Sequence, residues 1–411
     1  MGGDVRARVP WATLRRCARA PMVVRVARLD TLHVAAMPYP TSQGTQAAIG
    51  LMLDALARAG RRTALLTYPN GSGREDRFEH LVRRGMVRPR SLRSGPSLEK
   101  LAADVELAIA LRGYARGADV VIAHHVEAAS IAHALGLPRW VFVAHTTLGP
   151  ELPTYLPRAL APIASKAGRT LDRWLASVAP ALAAISPHVA TSLLEVADRE
   201  AVVLPVPMDP ITATVSRTEA RAALGVAQGD EVVLYAGNLD AYQGLPVLVD
   251  ALTELRASRP RARILVASQS DTRELRGYLE RRGHRAYFAP LGAEVDRARA
   301  HAAADVAVVT RGTSGGFPIK LLDAVARDVP VVAMRRAMSG SELAGVCVCD
   351  DDAVSLARGL RGALTDAHAS RDARALARAA LVQHHCPDAF VQALDRAIER
   401  TSAPSKRATQ T

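Results

Sequence analysis

The sequence predicts an α/β protein built as two Rossmann-like, parallel-sheet domains that face each other across a cleft. Three observations carry that expectation. Short Val/Ile/Leu/Ala runs alternate with Ala-rich helical stretches along most of the 411 residues. Polar, glycine-containing turns follow several of the runs, as expected where parallel strands hand over to helices. Pro205, Pro207 and Pro210 cluster between two such series, the composition of an interdomain linker.

The first strand is expected over Thr31–Met37, closed by Pro38-Tyr39-Pro40. A helix to about Ala59 follows, with Ile49, Met52, Leu53 and Leu56 on one face, and Gly60 stops it. Strands are expected at Thr63–Tyr68, Asp119–Ala123, Trp140–Ala144, Leu182–Ile185 and Ala201–Leu204. The second series opens at Glu231–Ala236 and a helix over Leu245–Arg256. It continues with strands at Arg263–Ala267, Ala286–Phe288, Val306–Val309 and Val331–Ala333. A last helix spans about Pro387–Arg400. The expected division is an appendage over 1–30, a first domain over 31–207, a linker over 208–216 and a second domain over 217–383. The helix in 384–401 then crosses back to the first domain, ahead of a tail over 402–411.

Composition narrows the function classes. No apolar stretch is long enough to span a bilayer, and no continuous apolar segment marks a signal peptide before Asp30. A cytoplasmic location is expected, with the inner membrane face as a peripheral option. Cys17, Cys347, Cys349 and Cys386 form no CxxC pair, so they read as reduced thiols without a metal. The formal charge of +13 comes almost wholly from Arg, since the lysines are Lys100, Lys166, Lys320 and Lys406. Such a balance suits anionic partners: sugar nucleotides or an anionic membrane surface. No zinc-finger spacing or RNP-type aromatic motif supports nucleic acid. Residues 1–30 hold scattered Arg among apolar residues and are expected to be a tail; the sharper reading is a short basic amphipathic helix on a membrane.

Five motifs lie just past expected strands. Pro40-Thr41-Ser42-Gln43-Gly44-Thr45-Gln46 puts a glycine at a helix start, where free N–H groups accept an anion; an ordinary capped turn is the plain alternative. His124-His125-Val126-Glu127 and Ala144-His145-Thr146-Thr147 put three histidines and a carboxylate at one sheet edge, where an acceptor hydroxyl can be oriented. Structural histidines are the plain alternative. Gly237-Asn238-Leu239-Asp240-Ala241-Tyr242-Gln243-Gly244 is a further phosphate-type turn, but it carries no cation. Arg311 to Asp323 is the most specific: glycines, then Pro318 at the first helical position, then Lys320. A lysine in a first helical turn opposes the helix dipole unless an anion sits there. A Lys320–Asp323 surface ion pair is the plain alternative.

At these residues the chain resembles glycosyltransferase family 4, with the GT-B fold, over about residues 31–400. Gly316-Phe317-Pro318-Ile319-Lys320-Leu321-Leu322-Asp323-Ala324 with Pro330-Val331-Val332-Ala333 is similar to the family's nucleotide-sugar signature. The Tyr242-Gln243-Gly244 and Pro318-Ile319-Lys320 segments resemble a Tyr-Gln-Gly / Pro-x-Lys variant. The chain departs from the pattern: Asn238 and Gln243 stand where the family usually has Arg and Lys, and Gly315 and Asp323 where it has paired glutamates.

The resemblance implies a retaining glycosyltransferase that moves a sugar from a nucleoside-diphosphate sugar to a hydroxyl acceptor, with no further cofactor and no metal. His124, Lys320 and Arg311 are the expected catalytic residues. Gly44, Thr45, Gly237, Asn238, Gln243, Gly315, Gly316, Phe317, Ile319 and Asp323 are expected at the donor, with Asp323 on the ribose. His125, Glu127, His145 and Thr146 are expected on the acceptor side. A sugar-nucleotide epimerase on the same fold and a non-catalytic sugar-nucleotide binder are the alternatives. Deleting residues 1–28 should leave a folded, soluble chain, checked by thermal melting; loss of folding would show that the segment packs into the core.

Overall fold

The computed structural model describes residues 28–41, 43–69, 71, 78–82, 98–312, 316–338 and 343–402. The expectations for residues 1–27, including Cys17, and for Gly315 lie outside them.

The first half runs β1 (Leu29–Pro38), α1 (Gly44–Arg58), β2 (Thr63–Tyr68), β3 (Glu79–Val82), α2 (Leu98–Tyr114), β4 (Ala118–His124) and α3 (His125–Ala134). It continues with β5 (Trp140–Ala144), α4 (Leu148–Glu151), α5 (Ala161–Val178), β6 (Ala181–Ala184), α6 (Pro187–Ala197) and β7 (Val202–Val203). The second half runs α7 (Arg217–Ala223), β8 (Glu231–Ala236), α8 (Leu245–Ser258), β9 (Ala262–Ala267), α9 (Arg273–Arg281), β10 (Ala286–Ala289), α10 (Glu294–Ala303) and β11 (Val306–Val309). It closes with α11 (Ile319–Ala326), β12 (Val331–Met334), α12 (Arg335–Met338), β13 (Cys347–Cys349), α13 (Ala353–Thr365), α14 (Ala367–His384) and α15 (Pro387–Glu399).

All pairings in both sheets are parallel. The seven-stranded sheet has the order β3-β2-β1-β4-β5-β6-β7, and the six-stranded sheet β10-β9-β8-β11-β12-β13. Each order reverses direction once, between β1 and β4 and between β8 and β11. Those two switch points are where an open α/β sheet leaves a crevice at its strand ends.

The strands form because they are aliphatic on both faces. β2 and β5 are buried along their whole length, as a sheet covered by helices on both sides requires. Helix α1 buries Ile49, Met52, Leu53 and Leu56, and Gly60 beyond its end takes a left-handed φ of 74°. Helix α7 starts at a reciprocal capping box between Ser216 and Glu219.

The two halves are joined by more than a linker. One apolar cluster runs from the second sheet through Phe390, Leu394 and Ala397 of α15 to Ala48 and Met52 of α1. The His385 imidazole Nδ1–H donates to the Val206 carbonyl at 2.9 Å, and the Met208 amide donates to the His385 carbonyl at 2.7 Å. Arg61 pairs with Asp395 at 2.8 Å.

Inside the second half, Arg221 is fully buried. Its guanidinium donates to the carbonyls of Ala303, Ala227, Gln228 and Asp230, and to the Asp305 carboxylate at 2.8 Å. It thereby ties α7 and its following loop to the start of β11. Arg221→Ala strands those acceptors in the interior, so stability should fall by roughly 3–5 kcal/mol, measured by urea unfolding. A change below about 1 kcal/mol would show that water replaces the guanidinium without loss.

Candidate active site at the switch points

The second sheet builds its site from two turns. Strand β8 ends in Gly237, whose φ of 150° lies in glycine territory. A Cβ there would also meet the Lys320 ammonium at 3.3 Å. Gly244 takes φ 70° and directly precedes α8. The neighbouring strand β11 ends in Thr310, and the two turns are stitched together. Thr310 donates to the Gln243 carbonyl at 2.7 Å, and the Gly312 amide donates to the Tyr242 carbonyl at 2.7 Å.

Lys320 lies in the first turn of α11. Its ammonium donates to Gln243 Oε1 at 2.6 Å and reaches the Tyr235 hydroxyl at 3.4 Å. The Gln243 amide in turn donates to Asn238 Oδ1 at 2.5 Å, and Asn238 donates to Asp240 at 2.6 Å and to the Tyr242 hydroxyl at 3.2 Å. So Asn238, Gln243 and Lys320, separated in sequence, form one hydrogen-bonded string. The cation missing from the Gly237–Gly244 turn is delivered to it by α11.

Lys320 has no carboxylate partner among the described residues, which removes the Lys320–Asp323 ion pair. Asp323 faces α10 instead: Arg327 Nε donates to its Oδ1 at 2.8 Å, and His301 Nε2 lies 3.7 Å from its Oδ2. Burial works to raise the Asp323 carboxyl, but His301 and Arg327 outweigh it and hold it low. Arg311 likewise has no carboxylate in contact among the described residues. It makes a long bond of 3.4 Å to the Gly316 carbonyl, stands 5.5 Å from the Tyr242 ring centre, and keeps a buried Nε without a partner. Burial first, then the Arg311 charge, pulls the Lys320 ammonium down to about 7.

Helix starts complete the positive character. Helix α11 begins at Ile319, so Pro318 is its N-cap and not its first helical residue. Neither Pro318 nor Gln43, the N-cap of α1, supplies a side-chain cap. The two starts approach each other across the cleft: a Cβ on Gly44 would lie 3.9 Å from Ile319 Cγ1. Thr45 is half-buried in the first turn of α1. Gly316, at φ 60°, lets its loop close on the other half, since a Cβ there would lie 3.3 Å from the His145 carbonyl. Phe317 is buried with its ring 5.3 Å from that of His385.

The first sheet contributes a buried histidine chain. His33 Nδ1 lies 2.9 Å from His124 Nε2, and His124 Nδ1 lies 2.9 Å from His145 Nε2. All three rings are buried. Burial lowers His33 to about 3 and holds His124 and His145 well below the ordinary imidazole value, so the chain is neutral. Each neutral ring has one N–H. Two links use two of them, leaving one N–H at one end and one bare nitrogen at the other. Those ends, His33 Nε2 and His145 Nδ1, have no hydrogen-bond partner among the described residues.

His124, expected as a catalytic residue, has both ring nitrogens engaged by other histidines and its side chain buried. His33 was missed because it lies inside β1, and only the parallel register of β1 with β4 brings its ring to His124. His125 is the more open neighbour, half-buried, with an unusual φ of 66° and its ring stacked on His145 at 4.6 Å. A non-glycine residue held left-handed at a strand end is a common mark of a working site. Glu127 lies in the first turn of α3 and pairs with Lys100 at 2.5 Å. Thr146 makes only a 3.5 Å bond to the next carbonyl. The acidic run Asp350-Asp351-Asp352 is in part structural: Asp352 caps α13 and Asp351 accepts from the Arg336 amide.

Comparison with known proteins bears on the fold. Residues 230–366, spanning the second sheet, match the family model described as Glycosyl transferases group 1. No curated protein matches the sequence significantly. Among solved structures, Anabaena HepE in complex with UDP and glucose is 18% identical, covering 90% of this chain and 99% of its own, with a TM-score of 0.69. Sucrose-phosphate synthase from Thermosynechococcus elongatus is also 18% identical, covering 90% and 98%, with a TM-score of 0.73. WaaG, a glycosyltransferase involved in lipopolysaccharide biosynthesis, is 17% identical, covering 91% and 100%, with a TM-score of 0.67. The fold is GT-B. Within it, the two uncapped helix starts, Lys320 and Arg311 converge on the cleft between the halves.

A bound diphosphate should restore the Lys320 charge. In the unfolded chain the lysine titrates near its ordinary value of 10.5, and in the fold it is pulled down to about 7. Between those values the unfolded chain binds more protons, so this group makes stability rise with pH across the window. An anion at the site reverses the shift. Pyrophosphate binding near pH 8 should therefore take up roughly half to one proton, measured by calorimetry in buffers of different ionisation heat. In Lys320→Met the uptake should vanish; equal uptake in both chains would assign the proton elsewhere.

Proposed function

We propose that the chain is a glycosyltransferase that takes a nucleoside-diphosphate sugar, binds its diphosphate at Lys320, Arg311 and the starts of α1 and α11, and passes the sugar to a hydroxyl acceptor. The observation that carries this reading is the Lys320 ammonium standing in the Gly237 turn without a counter-charge among the described residues. The match of residues 230–366 to Glycosyl transferases group 1 supports it from an independent side. HepE, whose structure holds UDP and glucose in the same fold, supports a nucleotide-sugar donor.

The chemistry follows from charge. As the glycosidic bond of the donor breaks, negative charge grows on the leaving diphosphate. A fixed cation and two helix starts stabilise that state more than the ground state. Gly237, Gly244 and Gly316 keep the backbone close to the phosphates. Asp323 Oδ2 receives a ribose hydroxyl, and Arg327 and His301 hold that carboxylate in its ionised form. Retention of the anomeric configuration, with the acceptor hydroxyl entering on the same face as the leaving group, belongs to this reading through the resemblance to family 4. His125, the half-buried histidine at the edge of the first sheet, takes over from His124 as the residue that meets the acceptor or the donor sugar.

The test is a thermal-shift and turnover screen with UDP-, GDP-, ADP- and dTDP-sugars. At least one should raise the melting temperature and be consumed in the presence of an acceptor. Lys320→Met should keep the fold and lower turnover by about 10²–10³. Turnover of Lys320→Met near the wild-type rate would move the charge to Arg311. Absence of binding to every nucleotide sugar would remove the reading altogether.

A further inference from the structure

We infer that the outward face of α5, with the segment that leads into it, docks on an anionic lipid bilayer and so places the cleft next to a membrane-borne acceptor; the acceptor half of this inference rests on the reading above. Helix α5 has two apolar sides. One is buried and holds Ala164, Gly168, Leu175 and Ala176. The other holds Ile163, Ala167, Leu171 and Trp174, which recur on successive turns and face solvent. Ile163 is 68% exposed, Leu171 41% and Trp174 39%. Just before the helix, Leu156 and Leu160 are each 45% exposed. Trp174 rests edge-on against His133 with ring centres 5.5 Å apart, while Ile163, Leu171, Leu156 and Leu160 keep large apolar side chains exposed on and just before this helix.

Charge identifies the occupant. Lys166, Arg169 and Arg173 flank the exposed apolar stripe along α5. The acid of this helix, Asp172, is buried and turned inward, where its carboxylate accepts from the Leu148 and Gly149 amides at 3.0 Å each. The outward side of α5 is therefore cationic and apolar, with a Trp at its edge. Long cationic side chains can lie along such a stripe with their charges at the headgroups, and Trp favours the same depth. That pattern matches an anionic lipid interface; Arg173 Nε donates to the Val196 carbonyl at 2.7 Å, and all three cationic residues remain exposed to meet headgroups.

The placement ties this face to the cleft. Residues Leu148–Leu160 begin directly after the His145-Thr146-Thr147 turn. Asp172 pins the start of α4 to α5, and α5 crosses so closely that a Cβ on Gly168 would overlap the Leu148 carbonyl. Glu151 bonds the Tyr155 hydroxyl at 2.6 Å, and its charge reaches Arg311 in the other half. A bilayer resting on α5 thus lies beside the mouth of the candidate site.

The experiment is flotation of the full chain with vesicles of phosphatidylcholine alone or mixed with phosphatidylglycerol. Wild type should float with the mixed vesicles at low salt and stay behind with phosphatidylcholine alone. Ile163→Asp and Lys166→Glu should each weaken partition by about tenfold or more, with melting temperatures unchanged. Failure of wild type to float, equal flotation with both lipids, or variants that float like wild type would each overturn the assignment. So would a dimer in solution that Ile163→Asp dissolves, which would give the face to a second copy. Nucleotide-sugar thermal shifts on the same proteins separate the two readings. Flotation without donor binding would remove the transferase reading and leave the surface; donor binding without flotation would do the reverse.

Discussion

Two cations without carboxylate partners among the described residues, Lys320 and Arg311, stand where the strand order of the second sheet reverses. That is the constraint around which the second half is arranged. A half-buried ammonium in the first turn of a helix is opposed by burial, by the helix dipole and by the neighbouring guanidinium at once. It holds its place through the Gln243 and Tyr235 oxygens, which offer dipoles and no charge. Gln243 is in turn fixed by Asn238 through its amide and by Thr310 through its carbonyl. The stitched turns therefore position a charge that the fold alone does not neutralise.

Much of the fold was legible because its signal is local. Trp140–Ala144, Glu231–Ala236 and Val306–Val309 are strands at the residues expected, since aliphatic runs bounded by turns have few other homes in a sheet covered on both sides. β3 was not expected: Glu79-His80-Leu81-Val82 alternates too briefly to stand out, and becomes a strand only by pairing with β2 at the sheet edge. The start of α11 moved by one residue because Pro318 takes ψ 87°, which is not helical. For the site, glycine turns and a scarce lysine pointed to Lys320, but its acceptor could not be read from the sequence. Gln243 is 77 residues away, and only the adjacency of β8 and β11 brings the two together.

The histidines show the opposite limit. Sequence position put His124 and His145 at strand ends, and strand ends were read as cleft residues. Side-chain direction decides the matter, and alternation along β4 and β5 points both rings to the side of the sheet that α1 covers. There they join His33 in a neutral chain, linked at 2.9 Å and cut off from solvent. A buried polar string with its links made specifies strand register as well as local packing. It fixes β1, β4 and β5 against one another beside His125, whose ring stacks on His145, and at the turn where the His145 carbonyl approaches Gly316.

Where the cation comes from has a consequence for how the two halves cooperate. A charge carried on the Gly237–Gly244 turn itself would belong to one loop. Here the charge rides on α11, and the start of α11 also meets the start of α1 from the other half. On the proposed reading, a diphosphate between them is held by N–H groups from both sheets and by one ammonium. Bringing the halves together and completing the anion site are then the same event. The apolar cluster through α15 and the His385 bonds to Val206 and Met208 tie the two halves together. Gly316 meets the His145 turn from the other half, and the segment with Glu151 that leads into the α5 face follows that turn. An acceptor delivered along that face would meet the donor sugar at the edge where the two halves close.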